Sequence, residues 1–375
     1  MYRSKIAFLL GFVPNPRFSK RISAAKQEFD VTLICWAKSD SYTFRNVHEG
    51  IGSYVMNIPA NAFDPVARMR PYSVFFKKAI KALKFESPDI IHLQGLDMLL
   101  LACWYKLRFN RKVRIVYEVA DLHRMLVDEQ IGVKRRLFAK GVSFFERKCA
   151  HSVDKLILTS ERYYEACYKQ YYTQDEVLFI PNAPSRKAFA NYVTKDHSHN
   201  FTVGFIGGIR YPNEIKLLIS AAKQVGVKVF LAGMEAGDEI RKLCESEDHV
   251  EYFGQYDYDM QIAELYGRCD AIYSVYPADM KNVKVALPNK LYEAMLCGLP
   301  LIVAKGTYVG ELVEEWGVGL AVNYDSEEEL MHALQLLLND RLVYEQCIRE
   351  CIKHSDVSVA ETYAKRYVEM LGELL

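Results

Sequence analysis

The feature that most constrains this chain is a repeated alternation of short apolar, β-branched runs with longer amphipathic segments. Before residue 200 the runs are Ile6–Phe12, Val31–Trp36, Tyr54–Ile58, Asp89–Leu93, Val113–Val119, Leu156–Thr159 and Val177–Ile180. After residue 200 they are Val203–Ile206, Val227–Leu231, Val250–Phe253, Ala271–Val275, Leu301–Val303 and Gly319–Val322. Strand-like runs that alternate with helical segments indicate βαβ units in a parallel, doubly wound sheet, so we predict an α/β fold.

The alternation restarts at Phe201, after the polar stretch Thr194–Asn200, and a chain of 375 residues is long for one core. We therefore predict two Rossmann-like, doubly wound parallel-sheet domains that face each other across a cleft. The predicted domains are residues 1–198 and 199–355, followed by a helix at 356–375 that packs back towards the first domain. A ligand is expected at the carboxyl ends of the strands.

Charge is divided unequally along the chain. Residues 1–200 carry 32 Lys and Arg against 19 Asp and Glu, whereas residues 201–375 carry 16 against 28. The basic half predicts contact with an anionic partner such as a phosphorylated lipid or a membrane surface, although the two halves can instead complement each other. The segments Arg68–Lys84 and Lys134–Lys148 interleave cations with phenylalanines, a pattern of membrane-surface helices and of ordinary amphipathic core helices.

Several features bear on where the protein works. The nine cysteines include no CxxC pair, which indicates free thiols in a reducing compartment. The first residues are expected to form a strand and not a signal peptide, and no run approaches the roughly 20 apolar residues of a membrane span. We expect a cytoplasmic protein with peripheral contact on the inner face of the cell membrane. Nucleic acid is not an expected partner, because the basic residues are spread over a domain with a ligand crevice.

The most specific motif is the stretch from Leu287 to Val303. Pro288 followed by helix formers marks the start of a helix. Gly298 and Pro300 mark its end, directly before a buried strand. A helix N-terminus offers unpaired backbone amides and the positive end of the helix dipole, so the stretch predicts a binding site for a diphosphate.

Three polar residues of this predicted helix are candidates for donor binding. Asn289 and Lys290 lie in its first turn, where the lysine adds a mobile positive charge beside the phosphates. Glu293 follows one turn later, and its carboxylate can accept hydrogen bonds from two ribose hydroxyls. The alternative is a surface helix in which Lys290 and Glu293 form an ion pair.

A second cluster follows the first strand of the second domain. Gly207 and Gly208 would let the backbone approach a ligand, and Arg210 and Lys216 would clamp a pyrophosphate from one side. Two cations can neutralise a leaving nucleoside diphosphate without a metal, so we expect no metal and no other cofactor. Lys216 can equally be a solvated helix residue.

In the first domain, polar residues follow two of the predicted strands. Asp121 and His123 lie just past a buried strand, where core packing does not explain them. They are the candidates for contacting the acceptor hydroxyl or the transferred sugar. His92 ends the preceding strand and is either a packed histidine or a further contact for the acceptor.

The run from Glu293 to Ala304 resembles the signature of the retaining GT-B glycosyltransferases of family four. In that signature two glutamates, eight positions apart, bracket a Gly-Pro-rich turn before an E-A-M-A-x-G-x-P-V-V-A run. The second half matches here, whereas Val285 stands at the place of the first glutamate. The run from Pro288 to Glu293 is similar to a variant of bacterial surface-polysaccharide transferases in which P-x-K-x-x-E stands alone.

The resemblance implies a GT-B fold and a nucleoside diphosphate sugar as the donor. It implies ribose binding by Glu293, an Arg–Lys pair at Arg210 and Lys216, and a turn at Gly254 that supports the nucleobase.

For the first domain, the resemblance implies that Asn15 and Arg17 lie in a loop that faces the donor phosphates or a phosphate-bearing acceptor. The family usually has a histidine near Ala120, so Asp121 or His123 would stand in for it.

These observations together predict a hexosyltransferase that moves a sugar from a nucleoside diphosphate, UDP by preference, to a glycan or a polyprenyl-diphosphate-linked glycan, with retention. A sugar-nucleotide epimerase of the same fold is one alternative. A catalytically silent homologue is another, given Val285 and Ala120. A nicotinamide-dependent oxidoreductase is disfavoured, because the turn from Gly11 to Pro16 lacks G-x-G-x-x-G.

The triplet Asp257–Asp259 matches the D-x-D metal motif of the other major glycosyltransferase fold. That motif belongs to a single-domain architecture, so we interpret Asp259 as an ordinary helix N-cap.

Overall fold

A computed structural model of the chain describes residues 3–38, 50–60, 69–122, 133–194, 200–234 and 237–375. Within these ranges no helix combines the length and the apolar character needed to cross a membrane. All nine cysteines lie in the described ranges, and each is buried and free, as predicted.

The chain divides into two compact units, Met1–Pro181 with Tyr363–Leu375, and Asn182–Thr362. The division falls before the polar stretch at residues 194–200, because the chain just ahead of that stretch packs within the second unit. There the short 3-10 helix Arg186–Phe189 places the Phe189 ring 5.5 Å from the ring of Tyr266.

The first unit is built on a parallel sheet of seven strands in the order β3-β2-β1-β4-β5-β6-β7. The strands are β1 Lys5–Leu10, β2 Asp30–Ala37, β3 Gly52–Asn57, β4 Ile90–Gln94, β5 Arg114–Val119, β6 Lys155–Leu158 and β7 Val177–Phe179. The helices and helical turns are Pro16–Ala25, Met69–Glu86, Leu96–Arg108, Val133–Ala150, Glu161–Tyr163, Tyr164–Tyr168 and Gln174–Glu176. The final helix, Ala360–Glu373, belongs to this unit from Tyr363 onwards.

The second unit repeats the plan with six parallel strands in the order β10-β9-β8-β11-β12-β13. The strands are β8 Thr202–Ile206, β9 Lys228–Ala232, β10 Val250–Gly254, β11 Ala271–Ser274, β12 Leu301–Ala304 and β13 Gly319–Val322. Its α-helices are Pro212–Val225, Asp238–Ser246, Tyr258–Gly267, Lys281–Val285, Asn289–Cys297, Tyr308–Trp316, Glu327–Asn339 and Arg341–Lys353, and a 3-10 helix spans Ser355–Ser358.

Both sheets are doubly wound, which confirms the predicted fold class of two Rossmann-like domains. In each unit the strand order reverses direction once, between β1 and β4 in the first and between β8 and β11 in the second. The central strands are buried along almost their whole length, as expected when helices cover both faces of a parallel sheet. Ligands of open α/β sheets bind outside the carboxyl ends of the strands at such a reversal.

Candidate functional site

Three glycine-containing loops lie side by side at the carboxyl edge of the second sheet. The amide of Gly207 donates to Ala232 O at 2.8 Å, and the amide of Gly233 donates to Gly254 O at 2.7 Å. Gly233 has a φ of 145°, and a Cβ there would overlap the carbonyl group of Gly207. Only glycine fits this position, so the loops after β8, β9 and β10 can approach one another closely.

The predicted helix begins at this edge. It spans Asn289–Cys297 and ends at Gly298, whose φ of 68° is the left-handed conformation common after a helix. Pro288 is the N-cap, so the helix begins directly after the proline that was predicted to mark its start. A proline side chain cannot hydrogen-bond to the amides of the first turn, so the N-cap residue itself provides no side-chain cap.

Lys290 directs its side chain from this helix onto the loop after β8. Its Nζ donates to Tyr276 Oη at 2.8 Å and lies 4.4 Å from the centre of the Phe205 ring. A Cβ on Gly207 would lie 2.7 Å from the same nitrogen. Gly207 has a φ of 143°, a backbone conformation that favours glycine, and the absence of a Cβ leaves room for the ammonium group beside the loop.

Lys290 is a buried cation whose described surroundings supply no ion-pair partner. The residue is 7 % exposed, and in the part of the chain that the structure describes it forms no ion pair. A hydroxyl group and aromatic faces stabilise an ammonium group only partly. A buried cation of this kind, open to a glycine loop, is suited to an anionic ligand.

Glu293 lies one turn along the same helix and is 4 % exposed. Tyr258 Oη donates to its Oε1 and Tyr266 Oη donates to its Oε2, each at 2.7 Å. Burial, and then the negative charge of Glu293, raise the pKa values of both tyrosines well above their usual range. The hydroxyl groups therefore stay protonated and fix the carboxylate in one orientation.

The surface-helix alternative is wrong, because Lys290 and Glu293 are both buried and bind separate partners.

The D-x-D triplet is a helix start, as predicted, but Asp257 is the N-cap and not Asp259. Its side chain accepts from the amide of Met260 at 3.3 Å. Tyr258, the residue between the two aspartates, contacts Glu293. The sequence analysis did not predict a role for this tyrosine.

The remaining donor candidates lie at or near the same edge. Gly208 and Arg210 are exposed in the loop after β8. Lys216 lies in the helix Pro212–Val225 and forms an ion pair with Glu239 at the surface. Asn289 Oδ1 accepts from Asn182 Nδ2 at 2.7 Å.

Gly254 ends β10 with a φ of 84°, and open space surrounds the position of a Cβ. The turn thus requires glycine for its backbone conformation and not for lack of room.

The first unit has a buried charge cluster near the carboxyl edge of its own sheet. Glu118, near the end of β5, has no exposed surface, and its carboxylate lies 3.2 Å from Arg17 Nε and 3.3 Å from Arg21 Nε. Burial raises the pKa of this carboxyl group, but the charges of Arg21 and Arg17 and the contact with His92 outweigh burial and lower it below the ordinary value. Glu118 was not among the predicted residues, although an acid inside a buried strand was a usable signal.

His92 belongs to this cluster and has no exposed surface. Its Nε2 lies 3.2 Å from Glu118, which can only accept, so the tautomer with a proton on Nε2 is favoured. Nδ1 then accepts from Tyr367 Oη at 2.7 Å. Both ring nitrogens face protein partners, which is the arrangement of a packed histidine.

The other candidates of the first unit lie around Arg17. Asn15 caps the helix Pro16–Ala25 by accepting from the amide of Phe18 at 3.1 Å. Arg17 is buried, and its Nη2 donates to Gln94 Oε1 at 2.7 Å.

Asp121 is exposed just past β5. Burial lowers the pKa of Arg17, and the negative charges of Glu118 and then Asp121 oppose that effect. His123 lies outside the described residues.

Two doubly wound units, the second with a buried cation beside a glycine loop, have the architecture of a GT-B glycosyltransferase. Two family models match the chain accordingly. The one described as a glycosyl transferase 4-like domain matches residues 23–183, and the one described as glycosyl transferases group 1 matches residues 200–340. The chain therefore belongs to the family 4-like GT-B glycosyltransferases, and the predicted resemblance is confirmed.

A curated relative is the succinoglycan biosynthesis protein ExoL of Rhizobium meliloti (strain 1021). The two sequences are 24% identical over 261 residues, which is 66% of this chain and 63% of the relative. The match thus spans less than two thirds of the length of that protein.

Several solved structures share the fold. Sucrose-phosphate synthase from Thermosynechococcus elongatus is 16% identical, with a TM-score of 0.70 and 99% of both chains covered. Anabaena Alr3699/HepE in complex with UDP-glucose is 17% identical, with a TM-score of 0.71 and coverage of 98% of this chain and 99% of that one. A UDP-N-acetylglucosamine 2-epimerase is 14% identical, with a TM-score of 0.65 and coverage of 99% and 98%.

The contact between Tyr266 and Glu293 predicts a cost when the hydroxyl group is removed. Tyr266→Phe leaves Oε2 of a buried carboxylate with one donor fewer, so the free energy of unfolding should fall by about 2 kcal/mol. Urea unfolding measures the change. Tyr171→Phe, at a half-buried tyrosine of the first unit, is the control and should change stability little. Equal stability of Tyr266→Phe and the wild type would show that Glu293 is not held in this way.

The Glu118 cluster predicts a pH-dependent stability. Glu118→Gln leaves Arg17 and Arg21 buried without their counter-charge, which should cost about 3–5 kcal/mol at neutral pH. Because the folded pKa of Glu118 is depressed, its contribution is present above the ordinary value of 4.5 and is lost as the pH falls below it. The stability gap between wild type and variant should therefore narrow in acid.

Chemical unfolding at neutral and acidic pH tests this expectation. Glu165→Gln, which removes an exposed i,i+4 partner of Lys169, serves as the control and should leave stability nearly unchanged. A gap that stays constant from neutral to acidic pH would contradict the assignment.

Proposed function

We propose that the second unit binds the diphosphate of a nucleotide sugar at Lys290, and that the protein transfers the sugar to a glycan or lipid-linked glycan. The observation that carries the proposal is the buried ammonium group of Lys290 without an ionic partner in the described chain, beside the loop of Gly207. A phosphate oxygen would supply the missing negative charge. Charge-assisted hydrogen bonds of this type are among the strong ones.

Neighbouring groups support the same assignment. The uncapped first turn of the helix Asn289–Cys297 presents backbone amides and the positive end of the helix dipole. Arg210 is exposed on the loop after β8, which begins at Gly207. Lys216 is held by Glu239 in a surface ion pair, which is a weak interaction that an incoming diphosphate can displace.

Glu293 is assigned to the ribose of the donor. Tyr258 and Tyr266 each use one lone pair of a carboxylate oxygen, and an ionised carboxylate has further acceptor sites. The turn at Gly254 is assigned to the nucleobase, and we propose uracil as the base. UDP is the nucleotide bound in the similar structure of Alr3699/HepE.

The acceptor is assigned to the first unit. Arg17 lies at the start of the helix after β1, and Asp121 lies just past β5, so both are at the carboxyl edge of its sheet. A cation there suits a phosphate-bearing acceptor, and a carboxylate suits a sugar hydroxyl. The similarity to a succinoglycan biosynthesis protein supports a surface polysaccharide as the product. The free, buried cysteines support a reducing, cytoplasmic location.

The proposed reaction is a hexosyl transfer with retention. The bond between the anomeric carbon and the diphosphate loosens first, and Lys290, Arg210 and Lys216 stabilise the charge that develops on the leaving group. The acceptor hydroxyl attacks on the face that the diphosphate leaves, and its proton passes to a diphosphate oxygen. The negative charge is neutralised by these side chains, so the proposal requires no metal.

A sugar-nucleotide epimerase is the second candidate, because a UDP-N-acetylglucosamine 2-epimerase shares the fold over almost the whole chain. A panel of UDP-sugars is first screened by thermal shift, since a ligand at a hundred times its Kd adds about 2.7 kcal/mol of stability. The donor that binds is then incubated alone and with lipid-linked glycan. A transferase releases UDP faster with acceptor, whereas an epimerase converts the donor alone to an isomer. Failure of every UDP-sugar to bind would contradict both assignments.

The role of Lys290 predicts a loss of affinity without a loss of stability. Lys290→Met should weaken UDP binding at least about tenfold, since a hydrogen bond to a charged group contributes about 1.5–3 kcal/mol. The melting temperature should stay equal or rise, because methionine fills a similar volume and buries no charge. Isothermal titration with UDP measures the affinity. Lys242→Met, at an exposed lysine of the helix Asp238–Ser246, is the control, and an unchanged affinity in Lys290→Met would refute the role.

A further inference from the structure

The first unit exposes a group of large apolar side chains, here called the aromatic surface. Its members are Phe85, Trp104, Leu107, Phe109, Phe144 and Phe145. Phe85 is 80 % exposed and Leu107 is 68 % exposed. Among the residues that the structure describes, every exposed Phe or Trp side chain belongs to this surface. Exposed apolar groups that cluster in this way mark a site of interaction.

The aromatic surface is continuous between two helices. The Trp104 ring lies 5.2 Å from the ring of Phe76 and 5.2 Å from the ring of Phe109. Lys84 Nζ lies 4.6 Å from the centre of the Phe109 ring. The ends of the helices Met69–Glu86 and Leu96–Arg108 thus meet at these side chains.

The helix with Phe144 and Phe145 lies beside them. Right-handed crossovers place the helices that follow β3, β4 and β5 on one face of the sheet. Lys106 Nζ donates to Ser152 O at 3.0 Å, which joins the helix Leu96–Arg108 to the end of the helix Val133–Ala150. Three neighbouring helices therefore contribute to one face of the unit.

Only some of the phenylalanines in the two basic segments are exposed and therefore available to a membrane. Phe75 is fully buried and stacks on Trp36 at 5.2 Å, so it belongs to the core. Phe76 is half-buried against Trp104. Phe144 and Phe145 are exposed, and the helix Leu96–Arg108 adds side chains that the charge pattern did not indicate.

The aromatic surface is surrounded by cations. Exposed members on the three helices include Lys77, Lys78, Lys81, Lys84, Arg108 and Lys148. The acids on these helices are Glu86, which accepts from Tyr54 Oη, Asp97 in a first turn, and Glu146, which is buried. The charge of this face is therefore positive, and it complements an anionic surface.

We propose that this face docks on an anionic phospholipid bilayer, with the aromatic surface in the headgroup boundary and the lysines on the lipid phosphates. Aromatic and aliphatic side chains gain from entering that boundary, and each nearby cation adds about 1 kcal/mol on an anionic leaflet. A symmetric dimer through this face is the less suitable alternative, because it would bring two like-charged surfaces into contact. The face does not depend on the donor site, so this proposal stands apart from sugar transfer.

The position of the face leaves the carboxyl edge of the sheet uncovered. Helices of βαβ units run back towards the amino edge, so the last turns with Phe85 and Leu107 lie away from Arg17 and Asp121. Docking would hold the first unit at the bilayer while its carboxyl edge stays open to an acceptor.

Vesicle co-sedimentation of the full chain tests the proposal. The protein should bind mixed vesicles of phosphatidylcholine and phosphatidylglycerol, bind phosphatidylcholine vesicles weakly, and dissociate as salt is raised. Phe85→Gln combined with Leu107→Gln should lower the partition coefficient at least about tenfold while the melting temperature is kept. Leu342→Gln is the matched control, because Leu342 is 77 % exposed on the second unit.

Three results would overturn the proposal. One is a lack of binding to mixed vesicles, and another is equal loss in the double variant and in Leu342→Gln. The third is a dimer in sedimentation velocity that the double variant abolishes while vesicles are not bound. That last result would assign the face to a second copy of the chain.

Discussion

The proposed donor site of this protein depends on one buried charge. Lys290 reaches from the first turn of its helix to the loop after β8, where its ammonium group has Tyr276 and the Phe205 ring as neighbours and Gly207 against it. Proteins seldom bury a cation without an opposite charge nearby, because one hydrogen bond to a hydroxyl group does not offset the free energy lost when the cation leaves water. A site of this kind is stable enough to fold and is improved by an anion, which is what a binding site for a leaving diphosphate requires.

The two units use buried charge in opposite ways. In the first, Glu118 is surrounded by Arg17, Arg21 and His92, so its charge is compensated from within the protein and holds the helix Pro16–Ala25 against the sheet. In the second, Lys290 has no ion-pair partner among the described residues, and we propose that a ligand supplies the opposite charge. Glu293 lies between these cases, because its tyrosine partners orient the carboxylate without neutralising it. The same fold thus holds a compensated charge cluster in one unit and an uncompensated buried cation in the other.

The alternation of apolar runs with amphipathic segments was sufficient to predict the fold. Each apolar run is long enough to form a strand, and the segments between the runs are long enough to form helices. The helix after Pro288 was likewise predictable from its proline and glycine boundaries. The partners of its side chains were not predictable. Tyr276 lies just after β11 and Tyr266 lies in the helix Tyr258–Gly267, and no local sequence pattern links them to Lys290 or Glu293. Glu118 shows the same limit. Its place in a buried strand signalled a special role, but its partners are brought together only by the sheet.

A crystal structure of the protein with UDP tests the central claim most directly. We expect phosphate oxygens within hydrogen-bond distance of Lys290 Nζ, against the backbone of Gly207 and Gly208, with the ribose near Glu293. A nucleotide bound elsewhere, with Lys290 still bonded to Tyr276 alone, would contradict it.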